Sequence, residues 1–412
     1  MKTTTFLGSA LAAALSVNGL PSVNSRAVND DLVEPQSLVD MIEAAKAQVI
    51  ADIASKETEM RKRGVEPTCT VSKLKFRREY GDLTRAQRLA YVNAVKCLMA
   101  LPPRTPADVA PGATSRFDDF IVVHIQRTMD VHFTGNFQPW HRWYLHQYEK
   151  ALREECGYTG VSPYWDWPKY ATAPQDSPIF NGDEYSLGGN GEYIPGHPGQ
   201  LLVPPPGVVG EIVQLPPGLG GGEVKTGPFA NMTITLGPVA GIPNVPPGPM
   251  GGLGMNPRKL KRDVGPGVNM MYANYTSVLH MLSQPNIDAY RLVLEGIPHT
   301  TLLGPHGGGH FTIGGDPGGD VFISPGDPAF YLHHGNVDRM WAVWQALGGP
   351  SASNARYTDL GSGEYAHITW TNSPPSRLAE LTDVLDMGYA AESTTIGNVM
   401  STTGGELCYF YL

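Results

Sequence analysis

Histidines are concentrated in two short parts of the chain, and imidazole is one of the commonest metal ligands in proteins. Of the 12 histidines, four lie within residues 124–146 and five within residues 299–334. That is far more than an even spread would place there. Because metal binding is the commonest cause of such clustering, the two windows predict metal sites.

The first window combines two predicted helices and the loop between them. His124 lies in a helical pattern, His132 lies in the following loop, and His141 lies one turn into the next helix. Such an arrangement can bring three imidazoles together. His146 is five positions beyond His141, roughly 500° around the helix. We therefore interpret His146 as a polar helix residue that faces elsewhere.

The second window contains an H-x-x-x-H pattern, His306 and His310, followed by the pair His333-His334. Residues four apart share one face of a helical turn. The three intervening glycines each cost about 1 kcal/mol relative to alanine in a helix, a cost that a bound metal could offset. Asp338, one turn beyond His334, could orient a ligand imidazole.

Two sets of three histidines, without an acid or thiolate in either motif, predict two all-imidazole sites. Imidazole suits copper, zinc, iron and nickel. Three protein ligands leave a coordination position open, as catalysis or gas binding requires. The ligand type alone leaves zinc and copper both open.

Helices that could position these histidines are visible in the apolar spacing and in the capping residues. The C-terminal part predicts turns and short strands. The predicted helices cover residues 37–60, a segment opened by the capping box Thr84 to Gln87, a segment capped by Ser115 or Thr114, a segment from Pro139 to Gly157, and residues 276–295 and 334–347.

Composition limits the remaining possibilities. The 412 residues carry a net charge of −9 and 41% hydrophobic residues. These values argue against nucleic-acid binding as the main task and against general disorder. Residues 201–250 hold 21 Gly or Pro. Since candidate ligands lie on both sides, we interpret residues 187–269 as a loop inserted into one domain rather than a linker.

The start of the chain has the features of a secretion signal. Residues 1–20 have a basic start and a short apolar run, as in a signal peptide, with a short buried helix as the alternative. Residues 21–68 are predicted to form a helical segment. Two glycosylation sequons, at Asn231 and Asn274, fit a secreted protein. An even number of cysteines predicts two disulfides, with three connectivities open, among Cys69, Cys97, Cys156 and Cys408.

Two sequence motifs resemble the copper signatures of the tyrosinase and catechol oxidase family. They are residues 137–142 (FQPWHR) and 327–341 (DPAFYLHHGNVDRMW). Further similarity lies at residues 77–80 (RREY), 91–98 (YVNAVKCL) and 163–167 (PYWDW). The pattern is similar to fungal short tyrosinases and catechol oxidases across most of residues 69–412.

The resemblance implies a mainly α fold: a four-helix bundle around a binuclear, type 3 copper centre, with long loops and a few short strands. It implies two copper ions and O2 as co-substrate. Residues 409–411 (YFY) resemble the tyrosine motif that closes the family's core domain, so a shielding C-terminal domain is not expected. By motif position, copper A would be bound by His124, His132 and His141, and copper B by His306, His310 and His334.

Several other positions are interpreted through the same resemblance. His333 would be a neighbour of the copper B site, and Val321 would gate the copper A side. Glu295 resembles a residue that holds a water molecule. In many fungal relatives the residue at the position of Asp130 is a cysteine that is cross-linked to a copper A histidine. Because this chain has an aspartate there, no thioether is expected. His299 and His367 are interpreted as ordinary polar residues.

The predicted activity is the oxidation of small o-diphenols to o-quinones, with O2 reduced to water. Tyrosinases often have asparagine where this chain has Gly307, so catechol oxidase is favoured over a tyrosinase with substantial monophenol hydroxylation. A haemocyanin-like O2 carrier and a zinc hydrolase are the alternatives from other classes. No nucleic-acid or membrane partner is expected.

Overall fold

The computed structural model describes residues 33–202, 210–239, 245–297, 300–360 and 378–412. The described part is mainly helical, in agreement with the predicted fold class. None of its helices is long and apolar enough to cross a bilayer. The α-helices are α1 Gln36–Lys62, α2 Arg85–Ala100, α3 Arg116–Val131, α4 Phe137–Cys156, α5 Pro266–Tyr272, α6 Tyr275–Leu282, α7 Ile287–Glu295, α8 Gly304–Ile313 and α9 Ala329–Leu347.

The strands are short and pair two by two. The parallel pair, β1 with β10, aligns Phe76 with Phe410. The other pairs are antiparallel: β2 with β5, β3 with β4, β6 with β7 and β8 with β9. The strands are β1 Lys75–Arg77, β2 Gly191–Tyr193, β3 Leu201–Leu202, β4 Val213–Gln214, β5 Gly221–Val224, β6 Thr233–Ile234, β7 Arg258–Lys259, β8 Val384–Leu385, β9 Thr394–Thr395 and β10 Tyr409–Tyr411.

Four helices, α3, α4, α8 and α9, form the bundle that carries the predicted metal ligands. Helix α4 packs on α3 and α9, and α8 packs on α9. The predicted helix starts are confirmed at α2 and α3, where Thr84 and Ser115 form capping boxes. Gly157 ends α4 in the left-handed conformation, as predicted. Helix α4 begins at Phe137 rather than at Pro139, because a proline fits within the first turn.

Helix α1 lies within the predicted N-terminal helical segment and packs along α9. Its C-terminal half is tied to the loop after α9, since Ser351 N donates to an oxygen of Asp52 at 2.9 Å. The period of its buried positions is helical, so one face is apolar. This buried face consists of Leu38, Ile42, Ala45, Val49 and Ile53.

Both expected disulfides are present, and the structure selects one of the three connectivities. Cys69 pairs with Cys408, and Cys97 pairs with Cys156. The first joins the segments that lead to β1 and β10. The second joins α2 to the end of α4, with a Cα–Cα distance of 5.9 Å. The described part of the chain has no free cysteine.

A buried ion pair anchors the Gly/Pro-rich excursion, the inserted loop of residues 187–269, to the bundle. Arg262 Nε and Nη2 each donate to a carboxylate oxygen of Asp327 at 2.7 Å, just before α9. Arg262 also donates to the carbonyls of Gly188 and Gly189, earlier in the same excursion. Bidentate pairs of this kind are geometrically specific. The excursion is therefore held against the segment that starts α9.

The carboxylate of Asp338, on α9, is a buried junction of charges. Arg142 Nε of α4 donates to Oδ1 at 2.6 Å. The hydroxyls of Tyr409 and Tyr411 donate to Oδ2, each at 2.6 Å. Arg77 Nη1 lies 3.5 Å from the same oxygen. The prediction that Asp338 orients a ligand imidazole is wrong, because its oxygens bind side chains of α4, β1 and β10 instead.

Replacing Asp338 by asparagine should destabilise the fold strongly. Removing one partner of a buried charge cluster typically costs about 3–5 kcal/mol, because the other charges stay buried. Burial raises the pKa of Asp338, but Arg142 and Arg77 outweigh it, so the pKa lies below its ordinary value. The stabilisation is therefore complete above about pH 5, where the carboxyl group is ionised in the folded and the unfolded chain, and is lost as the pH falls through the lowered pKa.

Denaturant unfolding of wild type and Asp338→Asn at several pH values measures this effect. Asp386→Asn is the control, since Asp386 pairs with Arg127 where both side chains are partly exposed. The control should lose at most about 1 kcal/mol. Equal stability of wild type and Asp338→Asn at neutral pH would contradict the role of this junction.

Candidate metal centre

The first histidine group consists of His124, His132 and His141, and each ring is oriented by a backbone carbonyl. His124 comes from α3, His132 is the residue that ends α3, and His141 is on the second turn of α4. Their Nδ1 atoms lie 2.8–2.9 Å from the carbonyl oxygens of Phe322, Thr128 and Phe137, in that order. This contact places the proton on Nδ1 and leaves Nε2 as the lone-pair atom.

The Nε2 atoms of the first group are buried and have no hydrogen-bond partner. The three imidazoles offer atoms that all lie within 4.8 Å of one another. Buried polar atoms without partners are rare and costly. A metal ion bound by these three atoms removes that cost, so the residues fit a three-histidine metal site.

The second histidine group consists of His306 and His310 of α8 and His334 of α9. The Nε2 atom of His310 lies 3.0 Å from His306 Nε2 and 3.1 Å from His334 Nε2. Nitrogen ligands about 2.0 Å from one tetrahedral ion are separated by about 3.3 Å. The three nitrogens therefore already stand close to the spacing that a shared ion requires.

Packing explains two of the three glycines between His306 and His310. A Cβ at Gly309 would lie 2.2 Å from His333 Nδ1, and a Cβ at Gly308 would lie 2.7 Å from Tyr272 Cβ. At Gly307 the nearest atom, Leu303 Cβ, would be 3.1 Å away. Gly308 and Gly309 thus let α8 approach its neighbours, whereas Gly307 leaves space for a side chain.

His333 and His334 are adjacent in sequence but differ in their hydrogen bonds. Trp167 Nε1 donates to His333 Nδ1 at 3.0 Å. His333 therefore uses its Nδ1 lone pair within the protein, which leaves the proton on Nε2 in the neutral ring. His334 directs Nε2 towards His310 instead. This difference supports His334 as the ligand and His333 as its neighbour.

The two histidine groups face each other across a small space. The rings of His141 and His334 are stacked with centroids 4.4 Å apart, and those of His132 and His306 are 5.9 Å apart. Two metals held by the two groups would therefore be neighbours. This proximity allows a binuclear centre in which one small molecule contacts both ions.

Two phenylalanines that the sequence analysis missed enclose the histidines. Phe137 lies 4.8 Å from His141 and 4.7 Å from His306, between ring centroids. Phe330 lies 4.2 Å from His334 and 5.4 Å from His124. Each phenylalanine stands four residues before a histidine of its own helix. That spacing is the signal that could have identified them.

Burial keeps the imidazoles neutral. It lowers the pKa of His132 to about 4, and the other five histidines of the two groups have pKa values well below the ordinary one. Burial likewise lowers the pKa of His333 to about 3. Only neutral imidazole can donate a lone pair to a metal, so the site is ready to bind metal at neutral pH.

The other predicted positions are placed as follows. Glu295 is buried at the end of α7, where it accepts hydrogen bonds from Arg291 and from the backbone of Phe133. Val321 is partly buried and precedes Phe322, whose carbonyl contacts His124. His146 stacks on Trp143, apart from both groups. His299 and His367 lie outside the described residues.

Asp130 is mostly exposed and lies 3.5 Å from Arg127. All four cysteines of the chain are paired in the two disulfides. No cysteine is therefore left to bond to a copper A histidine.

Six neutral imidazoles, directed from a helical bundle towards one enclosed space, define a binuclear metal centre. Residues 114–347 match the family model described as the common central domain of tyrosinase. The chain belongs to the tyrosinase family, and it is a type 3 copper oxidoreductase. Its cofactor is a pair of copper ions, and O2 is its co-substrate.

Fungal relatives cover most of the chain. Tyrosinase P of Aspergillus terreus is 39% identical over 338 residues, covering 82% of this chain and 91% of the relative. N-acetyl-6-hydroxytryptophan oxidase of Emericella nidulans is 38% identical over 354 residues, covering 83% and 93%. A mutant of the polyphenol oxidase from Thermothelomyces thermophila has 65% identity and a TM-score of 0.89, covering 93% of this chain and all of that one.

Copper content can test the ligand assignment at the histidine pair. His334→Ala should reduce copper from two ions per chain towards one and remove nearly all oxidase activity, because the centre needs both metals. His333→Ala should keep most of the copper, since its Nδ1 is already bonded to Trp167. Metal analysis of the purified variants measures both effects.

His146→Ala is the matched control, as His146 is a buried α4 histidine outside both groups. The control should retain two copper ions and wild-type activity. If His333→Ala lost one copper ion while His334→Ala kept both, the roles of the two histidines would have to be exchanged.

Proposed function

We propose that the protein is a catechol oxidase that converts small o-diphenols to o-quinones and reduces O2 to water. The observation that carries this proposal is that, in the part of the chain that the structure describes, neither position 307 of the copper B helix nor Glu295 offers an unengaged base. Gly307 offers no polar side chain there, and both carboxylate oxygens of Glu295 already accept protein hydrogen bonds. Oxidation of a catechol depends less on an oriented base than hydroxylation of a monophenol does.

The copper pair, when bound, supplies the redox chemistry between O2 and the diphenol. The protein holds six ligand nitrogens in place and adds no negative charge to the metals, because all six ligands are neutral. Phe137 and Phe330 pack against the histidine rings and keep water away from them. The chain's contribution is therefore geometry and a dry site.

Hydroxylation of a monophenol requires removal of its proton, because free phenols have a pKa near about 10. Glu295 is the residue to which the family resemblance assigns the role of orienting a water as base. Burial raises its pKa, partly offset by Arg291 and by the Phe133 N–H. With both oxygens of Glu295 engaged and glycine at position 307, we expect slow rather than absent hydroxylation.

Val321 is the proposed gate on the copper A side. It directly precedes Phe322, whose carbonyl orients His124. A valine is smaller than an aromatic residue and leaves the approach to the copper pair wider. An open approach favours turnover of bulky catechols and argues against a haemocyanin-like carrier, in which substrate access must be blocked.

Tyrosinase remains the second candidate function. A relative named tyrosinase aligns with four fifths of the chain, and another is named as an oxidase of a hydroxytryptophan derivative. Those names support oxidation of phenolic substrates in general. The ratio of monophenol to diphenol turnover distinguishes the two candidates.

Quinone formation from a catechol and from the matching monophenol should be measured for wild type and Gly307→Asn. Wild type should oxidise the catechol well above the rate for the monophenol. Gly307→Asn should raise the monophenol rate relative to the catechol rate, because an amide can help to orient a water near Glu295. The added Cβ meets Leu303 at 3.1 Å, so the helix can accept it with a small adjustment.

Gly307→Ala is the matched control, since it adds the Cβ without a polar group. It should leave the ratio of the two rates unchanged. If wild type hydroxylated tyrosine-like phenols as fast as it oxidised their catechols, the protein would be a tyrosinase. No quinone from any catechol by the copper-loaded protein would favour an O2 carrier.

We also propose that the protein is secreted and carries an N-linked glycan at Asn231. Two disulfides are typical of oxidising compartments. Asn231 is exposed in a turn with φ of 59° before β6. Asn274 is engaged instead, since its oxygen accepts from Ser277 N and its nitrogen donates to Met270 O, both at 2.8 Å.

Expression in a eukaryotic secretory host should give extracellular protein with sugar at Asn231 and little or none at Asn274. Peptide mass spectrometry before and after glycosidase treatment identifies the modified residue. Asn231→Gln should remove the mass difference, and Asn274→Gln should leave it unchanged. A glycan found only at Asn274 would contradict the choice of site, and intracellular retention would contradict secretion.

A further inference from the structure

The loop between α3 and α4 sets the position of His132, the ligand that follows a helix instead of lying within one. The residue after it, Phe133, has φ of 54°. This left-handed conformation is unfavourable for a bulky L-residue and persists only where surrounding contacts enforce it. The contacts that hold Phe133 therefore also hold the backbone of His132.

The main contact comes from α7, a helix without any of the six proposed ligands. The backbone N–H of Phe133 donates to Glu295 Oε2 at 2.6 Å. Arg291, one turn earlier on α7, donates through Nε to Glu295 Oε1 at 3.0 Å. Both residues are only 4% exposed. The carboxylate is thus fixed between a guanidinium and the copper A loop.

The same loop is held at its other side by α3. His132 Nδ1 lies 2.8 Å from Thr128 O, and Thr134 Oγ1 donates to Asp130 O at 2.8 Å. These contacts lie within the loop and the last turn of α3. The bond to Glu295 is different, because it joins the loop to a separate helix that packs against α8. It therefore links the two halves of the centre.

We propose that Arg291 and Glu295 are positioning residues for copper A: the buried pair holds the Phe133 N–H and so fixes His132. The proposal rests on His132 being a copper ligand, but it does not depend on which phenol is oxidised. Glu295 acts here as a hydrogen-bond acceptor for the backbone. That role differs from holding a water molecule for proton removal.

Glutamine and alanine at position 295 distinguish the two roles. Glu295→Gln keeps an acceptor oxygen for the Phe133 N–H but cannot act as a base. Glu295→Ala removes the acceptor. The positioning role predicts that Gln rescues most of what Ala loses, whereas a water-holding base predicts that both variants behave alike. Arg291→Lys keeps a charged donor, and Arg291→Met removes it.

Two measurements avoid any use of substrate. Hydrogen exchange of the metal-free protein reports protection of the Phe133 amide. The rate of copper loss to a chelator reports retention of the metal. In Glu295→Ala and Arg291→Met we expect the Phe133 amide to exchange at least tenfold faster and one of the two copper ions to leave at least tenfold faster. Glu295→Gln and Arg291→Lys should remain within about threefold of wild type, since each keeps its hydrogen-bonding atom.

Glu155→Gln is the matched control, because Glu155 is a partly buried partner of Arg116 at the far end of α4. It should leave the exchange of the Phe133 amide and copper retention unchanged. Wild-type amide protection and copper retention in Glu295→Ala would overturn the proposal. So would equal losses in Glu295→Gln and Glu295→Ala. Failure to oxidise catechols would instead overturn the proposed function and leave these two readouts intact.

Discussion

The six neutral imidazoles, buried with Nε2 lone pairs directed at one shared space, impose the constraint on which the rest of the structure depends. The three Nε2 atoms of the first group have no protein partner, and in the second group His310 Nε2 lies 3.0–3.1 Å from the Nε2 atoms of His306 and His334. Such an arrangement is costly without metal, since buried lone pairs stay unsatisfied. It persists because carbonyl groups hold the opposite ring nitrogens of the first group and the bundle fixes the backbones. The fold therefore holds the ligand nitrogens in place for metal ions at a cost to its own stability.

Much of this arrangement could be predicted from the sequence, because helices and caps follow local rules. The capping residues Thr84 and Ser115 and the terminating Gly157 act within one turn of chain. The placement of His306 and His310 on one helical face follows from their spacing alone. The cost of three glycines within one helix indicates an unusual site. Only the structure shows that a side chain at Gly308 or Gly309 would clash with neighbouring residues, whereas Gly307 has room for one.

What the sequence could not predict are contacts between distant segments. Asp338 lies one turn after His334, and this spacing favours a contact with that ligand. Its hydrogen-bond and ion-pair partners come from β1, α4 and β10 instead. Only the family resemblance assigns a role to Glu295, and nothing in its own segment indicates the backbone N–H from which it accepts a hydrogen bond. Burial decides both cases. A buried carboxylate must pair with a cation or accept hydrogen bonds, and tertiary packing determines which groups lie close enough to do so.

The disulfide between Cys69 and Cys408 gives the chain a closed topology. It joins positions 339 residues apart in sequence, so the bond turns nearly the whole copper domain into a covalent ring. A single backbone cut anywhere in the Gly/Pro-rich excursion would divide the ligands of one metal from those of the other. The two pieces would still be one covalent molecule, held through this bond. Limited proteolysis can thus nick the protein without releasing either half of the centre, until a reductant cleaves this disulfide.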